Sequence, residues 1–262
     1  MKKYWIVFKN SLQTNLAYRA NFFAAFIAEA VSLVAIIYIW LSIYRQGNVI
    51  GNYTLSNLII YFLITRLIFL IINAQDLGRE VGRFINLGQF ANFINKPINF
   101  LSYNLASNLS AVFNRLISFA IFILLLFYWS LNNGIGIDKI FLFLITLLIG
   151  YLIYFLLYYI VGIITFFTGH FSGINYTMMG VLTFFSGRLV PIDIMPKSLY
   201  IISNFLPFKY IVYFPIQIIT GKINDLQILI GIFKGITWLF LLIILASLIY
   251  KKGIKTFESY GG

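Results

Sequence analysis

The sequence contains no cysteine, a single histidine and only seven carboxylates in 262 residues. Without cysteine there are no disulfides, no thiol chemistry and no cysteine-held metal, and nothing is implied about compartment. Too few carboxylates and histidines remain for the usual acid–base or metal constellations. Asp76 and Glu80 are four apart, but Arg79 and Arg83 stand beside them, which is the pattern of a salt-bridged, solvated helix face. His170, next to Gly169 at the end of an apolar run, reads as a surface or packing residue. No catalytic residue and no metal site is therefore assigned. A phosphate-binding P-loop is also missing. Gly221-Lys222 is followed by Ile223 and lacks the upstream glycine that lets backbone N–H groups wrap a phosphate. No cofactor is expected on this chain. Charged residues make up 10% of the sequence, against about 25% in soluble domains. With 61% hydrophobic residues, the chain reads as an all-α integral membrane protein, one membrane domain over residues 1–262. The net charge of +12 fits basic ends meeting anionic membrane lipids, not nucleic acid.

What the sequence has in abundance is apolar runs, near 22–44, 56–74, 104–130, 139–168, 173–190 and 229–250. Each approaches or exceeds the ~20 residues that cross a bilayer, so six spans are expected. Lys2, Lys3, Lys9 and Arg19, then Arg79, Arg83 and Lys96, then Lys251, Lys252 and Lys255 fall on one side of that layout. The positive-inside rule puts both termini in the cytoplasm. No cleavable signal peptide is expected, because residues 1–21 lack a continuous apolar core and a small-residue cleavage site. Trp5, Phe8, Leu12, Leu16 and Arg19 recur at helical spacing, so residues 1–20 read as an amphipathic helix lying in the interface. Four of the five prolines, Pro191, Pro196, Pro207 and Pro215, interrupt a stretch otherwise as apolar as a span. Proline ends or kinks helices, so residues 191–221 are expected to form short outer re-entrant helices.

Several side-chain groupings stand out. Asn104, Ser107, Asn108, Arg115 and Ser118 form a polar stripe on the third run, either lining a pathway or bonding between helices. Gly173, Gly180 and Gly187 are spaced by seven and suit close helix approach. Tyr151, Tyr154 and Tyr158 share an aromatic packing face. Phe84, Leu87, Phe90 and Phe93 recur at helical spacing in residues 75–97, more apolar surface than a free loop should show. Glu29, Arg66 and Arg115 lie at similar depths in the first three runs. Since a lone charge there costs at least ~2.5–3.5 kcal/mol, Glu29 is expected to pair with one or both arginines.

Two segments resemble the permease subunits of type-2 ATP-binding-cassette exporters of the bacterial six-span branch. One is Ile85-Asn86-Leu87-Gly88-Gln89-Phe90 running on to Asn95-Lys96-Pro97. The other is Phe185-Ser186-Gly187-Arg188 followed by Pro191, Pro196, Leu206-Pro207-Phe208, Pro215 and Gly221. Tyr18-Arg19-Ala20-Asn21-Phe22-Phe23 is similar to the start of the first span in one bacterial branch. The resemblance covers nearly the whole chain. It implies an export half-transporter in the bacterial inner membrane, dimerising with itself or a related permease. Cytoplasmic ATPase subunits would carry ATP and Mg. Residues 75–100 would hold the coupling helix, with Arg83, Phe84, Leu87, Gly88, Phe90, Phe93, Lys96 and Pro97 facing the ATPase. Gly187, Pro191, Pro196, Pro207 and Phe208 would form the outer gate, and Glu29, Arg66, Arg115 and Asn108 the pathway or charge cluster. Members of the family carry drugs, peptides, lipids or polysaccharides, and no residue here chooses among them. The rival reading is a secondary transporter or channel driven by an ion gradient. It would place ionisable groups where broken helices meet and often shows internal repeats, which this sequence lacks.

Overall fold

The computed structural model describes residues 2–17, 19–45, 51, 53–94 and 97–261, excepting the side chains at 15–25, 92, 94 and 258–261. The described residues form helices with no β-strand. They are α1 (Lys2–Ala17), α2 (Arg19–Arg45), α3 (Leu55–Ile72), α4 (Gln75–Asn86), α5 (Ala91–Ile94), α6 (Phe100–Ser118), α7 (Ala120–Asn132), α8 (Ile137–Thr168), α9 (Ser172–Phe185), α10 (Lys197–Phe205), α11 (Tyr213–Ile219) and α12 (Asp225–Gly261). Short 3-10 turns at Ile192–Ile194 and Pro207–Tyr210 flank α10. The chain is an all-α integral membrane protein. Among the described residues, four stretches are individually long and apolar enough to cross a bilayer, Phe26–Arg45, Leu55–Asn86, Ile137–Thr168 and Asp225–Phe257.

Local chemistry sets the helix ends. The Thr54 hydroxyl caps α3 by accepting from Asn57 N at 3.2 Å, and the Asn99 side-chain Oδ1 caps α6 by accepting from Ser102 N at 3.0 Å. Such caps supply partners that the first helical N–H groups otherwise lack. α8 stops at Gly169, whose φ of +66° closes the helix with a bond to Thr165 O. The third apolar run is not one rod. α6 and α7 meet at 66°, with no proline or glycine at the break. The Ser118 hydroxyl donates back to Asn114 O at 2.9 Å just before the break, a side-chain bond of the kind that competes with the helix ladder. The fifth run yields a helix of only 14 residues, about 21 Å at ~1.5 Å per residue. Conversely, the second run does not end at 74. α3 and α4 follow each other with so little bend that Leu55–Asn86 behaves as one 32-residue stretch.

α8 is the central post, flanked by α4, α11 and α12. Apolar burial does not draw helices together in lipid, so contact depends on small residues that let backbones approach. A Cβ placed on Gly162 would fall 2.6 Å from Val81, and one on Gly150 2.5 Å from Tyr210 O. Gly78 and Gly82 supply the reciprocal flat face on α4, against Tyr158 and Phe171. α1 lies along α6, not free of the body. Its inward stripe is Tyr4, Val7, Phe8, Ser11 and Leu12, with Ser11 Oγ 3.0 Å from Ser107 Oγ, Phe8 edge-on to Phe113 and Asn99 N donating to Tyr4 Oη. Trp5 of the expected stripe is exposed, and the side chains of Leu16 and Arg19 lie outside the described residues, as does the Tyr18–Phe23 motif.

Candidate functional site

The molecule has two distinguishable ends. At one, Lys3 donates to Pro97 O, Phe171 covers Gly82, and Phe90 is enclosed by Phe166 and Phe257. At the other, Tyr53 Oη donates to Asp193 at 2.9 Å and accepts from Gln217 Nε2 at 3.2 Å, while Lys222 Nζ lies 3.1 Å from the Tyr53 ring centroid. Residues 193 and 222 bracket the proline-rich segment, so the segment leaves and returns to the same end. A Cβ on Gly221 would meet Ile135 at 2.7 Å, and one on Gly51 would meet Ile194 at 3.9 Å, which adds two more loops to that end. Burial, then the Asp193 charge, pushes the Tyr53 phenol above its ordinary range. Burial lowers the Lys222 ammonium, with Asp193 opposing.

Within the segment, Pro191 and Pro207 are buried at the starts of the two 3-10 turns, and Pro196 is exposed at the start of α10. Phe208 is buried against Phe185. The Pro207–Ile219 limb folds back on α10 at 76°. Gly187 lies past the end of α9 and not on its face. Its φ is +84°, its carbonyl accepts from Tyr61 Oη at 2.7 Å, and a Cβ would fall 2.6 Å from that oxygen. Only glycine combines that dihedral with that approach. Gly173 and Gly180 do sit on α9, but a Cβ on either would meet nothing within 4 Å, so their face is open.

The central feature is a charge cluster that ties three parts of the chain together. Glu29 on α2 accepts from Arg66 Nη1 on α3 through one oxygen and from Arg188 Nη2, just past α9, through the other, both at 2.7 Å. Arg188 also stacks 4.1 Å from the centroid of Phe69. Glu29 thus pairs with Arg66 as expected, but its second partner is Arg188 and not Arg115. Arg115 instead donates to Ile71 O and Asn73 O, at 3.1 and 2.7 Å. These carbonyls lie where α3 gives way to α4, and a cation is favoured at such a helix C-terminus. Asn108 accepts from Tyr151 Oη at 3.0 Å. Asn104 and Ser118 bond back to their own helix, and Ser107 meets Ser11. The polar stripe of α6 is accordingly an interhelical and self-bonding one.

At the Phe90 end the expected apolar stripe splits. Leu87 is 58% exposed, whereas Phe90 and Phe93 are buried, at 0% and 6%. Phe84, Phe90, Phe93, Phe100, Phe166, Tyr250 and Phe257 form one aromatic cluster that welds the α4–α5 turn to the ends of α8 and α12. The surplus apolar surface is absorbed inside the chain because α8 and α12 extend far enough to meet it. What projects is Arg83, Asn86, Leu87, Gly88 and Gln89, with Gly88 at φ +68° making the turn. Pro97 is exposed, and Lys96 lies outside the described residues. Arg188 and Tyr53 are the functional candidates that sequence reasoning missed. The position of Arg188 at the end of an apolar run was the signal available for it.

A comparison with curated proteins finds no match. The family described as "ABC-2 family transporter protein" matches residues 30–261. The chain therefore belongs to the ABC-2 transporter family, whose members are multi-pass membrane components of ATP-binding-cassette transporters that work with ATPase partners.

Proposed function

We propose that this chain is one half of an ATP-driven exporter in the bacterial inner membrane, paired with a second copy or a related permease. Separate cytoplasmic ATPase subunits dock at the Phe90 end and hold the ATP and Mg. The chain crosses the bilayer six times with both termini cytoplasmic, and residues 191–221 dip in from the outer side without crossing.

The observation that carries this reading is the tip formed by Asn86, Leu87, Gly88 and Gln89. It is exposed and carries a leucine without a packing partner among the described residues, yet it stands on a close helix–helix contact. α4 is locked to α8 through Gly78, Gly82 and Gly162, and it continues α3, which carries Arg66 into the charge cluster. A push on the tip moves α3, α4 and α8 as one body. The cluster passes that movement to α2 and to the turn at Arg188 that leads into the outer segment. The open face of α9 around Gly173 and Gly180 is the surface offered to the second permease. The ion-driven alternative would set ionisable groups where broken helices meet, and Glu29, the carboxylate of the charge cluster, has both oxygens engaged by arginines.

The test separates the tip from its support. Leu87→Asp, at the surface, should abolish co-purification of the ATPase while leaving the permease folded and inserted. Phe90→Ala, in the core, should instead lower thermal stability by roughly 3–5 kcal/mol. Undiminished ATPase capture by Leu87→Asp refutes the docking site, and ion-driven uptake by the chain alone in liposomes would favour the rival.

A further inference from the structure

At the Phe90 end a cavity of about 210 Å³ opens between the start of α6, α8 and α12. That is below the ~300–1,000 Å³ of sites that enclose a whole small molecule, so it suits a headgroup whose remainder stays outside. Its wall is rich in hydrogen-bond donors and, among the described residues, holds no carboxylate. Asn99 and Leu101 line it from the start of α6, Tyr159 from α8, and Ser247, Tyr250 and Lys251 from α12. The Asn99 Oδ1 is engaged by Ser102 N, which leaves its amide N–H groups free to donate, and the start of a helix favours negative charge. Lys251 makes no ion pair among the described residues.

Tyr159 is the residue that points to a ligand. It is 1% exposed, and its hydroxyl has no hydrogen-bond partner among the described residues although the cavity reaches it. The hydroxyls of Thr165 and Ser186 are unpartnered too, but they are sealed inside the protein. Both cavity tyrosines are fixed against Phe100, Tyr159 tilted at 6.0 Å and Tyr250 stacked at 5.9 Å between ring centroids, so their hydroxyls are held before anything binds. Hydroxyls, an amide and an ammonium can donate together to one group of oxygens, and such bonds are strongest when the acceptor is charged. A phosphate supplies those oxygens. Its source follows from the position of the cavity: Lys251 closes the apolar run at 229–250, and Ile244 and Leu248, which precede it at helical spacing, are exposed on the outside of the bundle.

We propose that this cavity seats the phosphate of an anionic phospholipid, its oxygens at Lys251 and the Tyr159 and Tyr250 hydroxyls and its acyl chains along Ile244 and Leu248. The site lies within one copy of the chain and rests on neither ATP coupling nor a second permease.

The probe is dioleoyl phosphatidylglycerol, titrated onto the delipidated full-length protein in neutral detergent and counted by native mass spectrometry. Dioleoyl phosphatidylcholine and inorganic phosphate are the comparison arms. Phosphatidylglycerol should bind at least ~10-fold more tightly than phosphatidylcholine, a difference of about 1.4 kcal/mol, and inorganic phosphate should not displace it. Tyr159→Phe removes a hydroxyl that bonds nothing among the described residues. It should leave thermal stability unchanged without lipid and weaken phosphatidylglycerol binding ~10-fold, the scale of one hydrogen bond to a charged group. Lys251→Gln should erase the preference for phosphatidylglycerol, whereas Lys252→Gln, at a neighbour that does not line the cavity, should keep it. Undiminished binding by Tyr159→Phe would overturn the cavity as the seat of the headgroup. Equal losses in the two lysine variants would mean diffuse charge attraction and overturn it as well. Displacement by inorganic phosphate would overturn the lipid as the source, and equal binding of phosphatidylcholine would overturn the anionic headgroup.

Discussion

Glu29→Gln is the substitution to which the charge cluster should be most sensitive. It removes the one carboxylate that Arg66 and Arg188 share among the described residues and raises the cluster from +1 to +2. Removing one partner of a buried pair costs about 3–5 kcal/mol. The Glu29 and Arg188 side chains keep 22% and 19% exposure, against 8% for Arg66, so solvent screening puts the cost near the low end, about 3 kcal/mol. At ~2–4 °C per kcal/mol for a chain of this size, the midpoint of thermal unfolding should fall by roughly 6–12 °C. Arg188→Met is the informative contrast. It leaves a neutral Glu29–Arg66 pair and forfeits the stack on Phe69, worth ~0.5–2 kcal/mol, so it should cost less. Combining Glu29→Gln with Arg188→Met returns the cluster to +1 and should recover part of the lost stability. Thermal unfolding of the purified variants, followed by size-exclusion chromatography, reads all three. A Glu29→Gln protein as stable as the wild type, or an Arg188→Met protein less stable than Glu29→Gln, would refute the reasoning.

Three further outcomes are expected. Cysteines replacing Ser11 and Ser107, whose oxygens are 3.0 Å apart, should form a disulfide in the native fold. The chain has no other thiol, so intact mass and loss of maleimide labelling read it directly, and failure to close would mean that α1 does not dock on α6. Gly162→Ala forces a methyl against Val81 and should destabilise by about 1–3 kcal/mol, whereas Gly173→Ala, where a Cβ meets nothing, should be neutral or slightly stabilising in the same unfolding assay. Tyr53→Phe removes the acceptor for Gln217, which is 4% exposed; it should cost about 1–3 kcal/mol and increase thiol labelling of a cysteine introduced at Lys222, and unchanged labelling would mean that Tyr53 does not pin the outer segment.

Much of the architecture is legible in the sequence because length and composition alone reveal apolar runs. The breaks are less so. Pro191, Pro196 and Pro207 announce the short helices of the outer segment, since a missing donor has a local consequence. The 66° bend at Phe119 has no such mark: Ser118 bonds back to Asn114 O there, but Ser110 bonds back to Ser107 O in the same helix without a bend. The early end of α9 was hidden for the opposite reason. Gly187 sits in register with Gly173 and Gly180, so a turn glycine looked like a packing glycine. Among the charges, the cost of burial led to Glu29 and Arg66. It did not exclude Arg115, because a guanidinium is satisfied as well by carbonyls at a helix end as by a carboxylate, and where α3 yields to α4 is not written in the apolar pattern.

The deeper reason that contacts are harder to read than spans lies in the solvent. In water an apolar stripe marks the side of a helix facing the core; in lipid both the core and the surroundings accept it. α8 and α12 are both long apolar helices, yet 56% of the most apolar stretch of α8 is buried inside the protein and only 22% of that of α12. Hydropathy cannot tell them apart. Glycines and polar groups can, because they have no reason to face lipid. Gly150 and Gly162 on α8 meet backbone or side chain within 3 Å, and Tyr151 finds Asn108. The same logic reaches the aromatic stripe at residues 84–93. Its spacing established that Phe90 and Phe93 needed a partner, and the partner was Phe166 and Phe100 of the same chain. Leu87, at the tip of the same turn, is 58% exposed and has no such partner among the described residues.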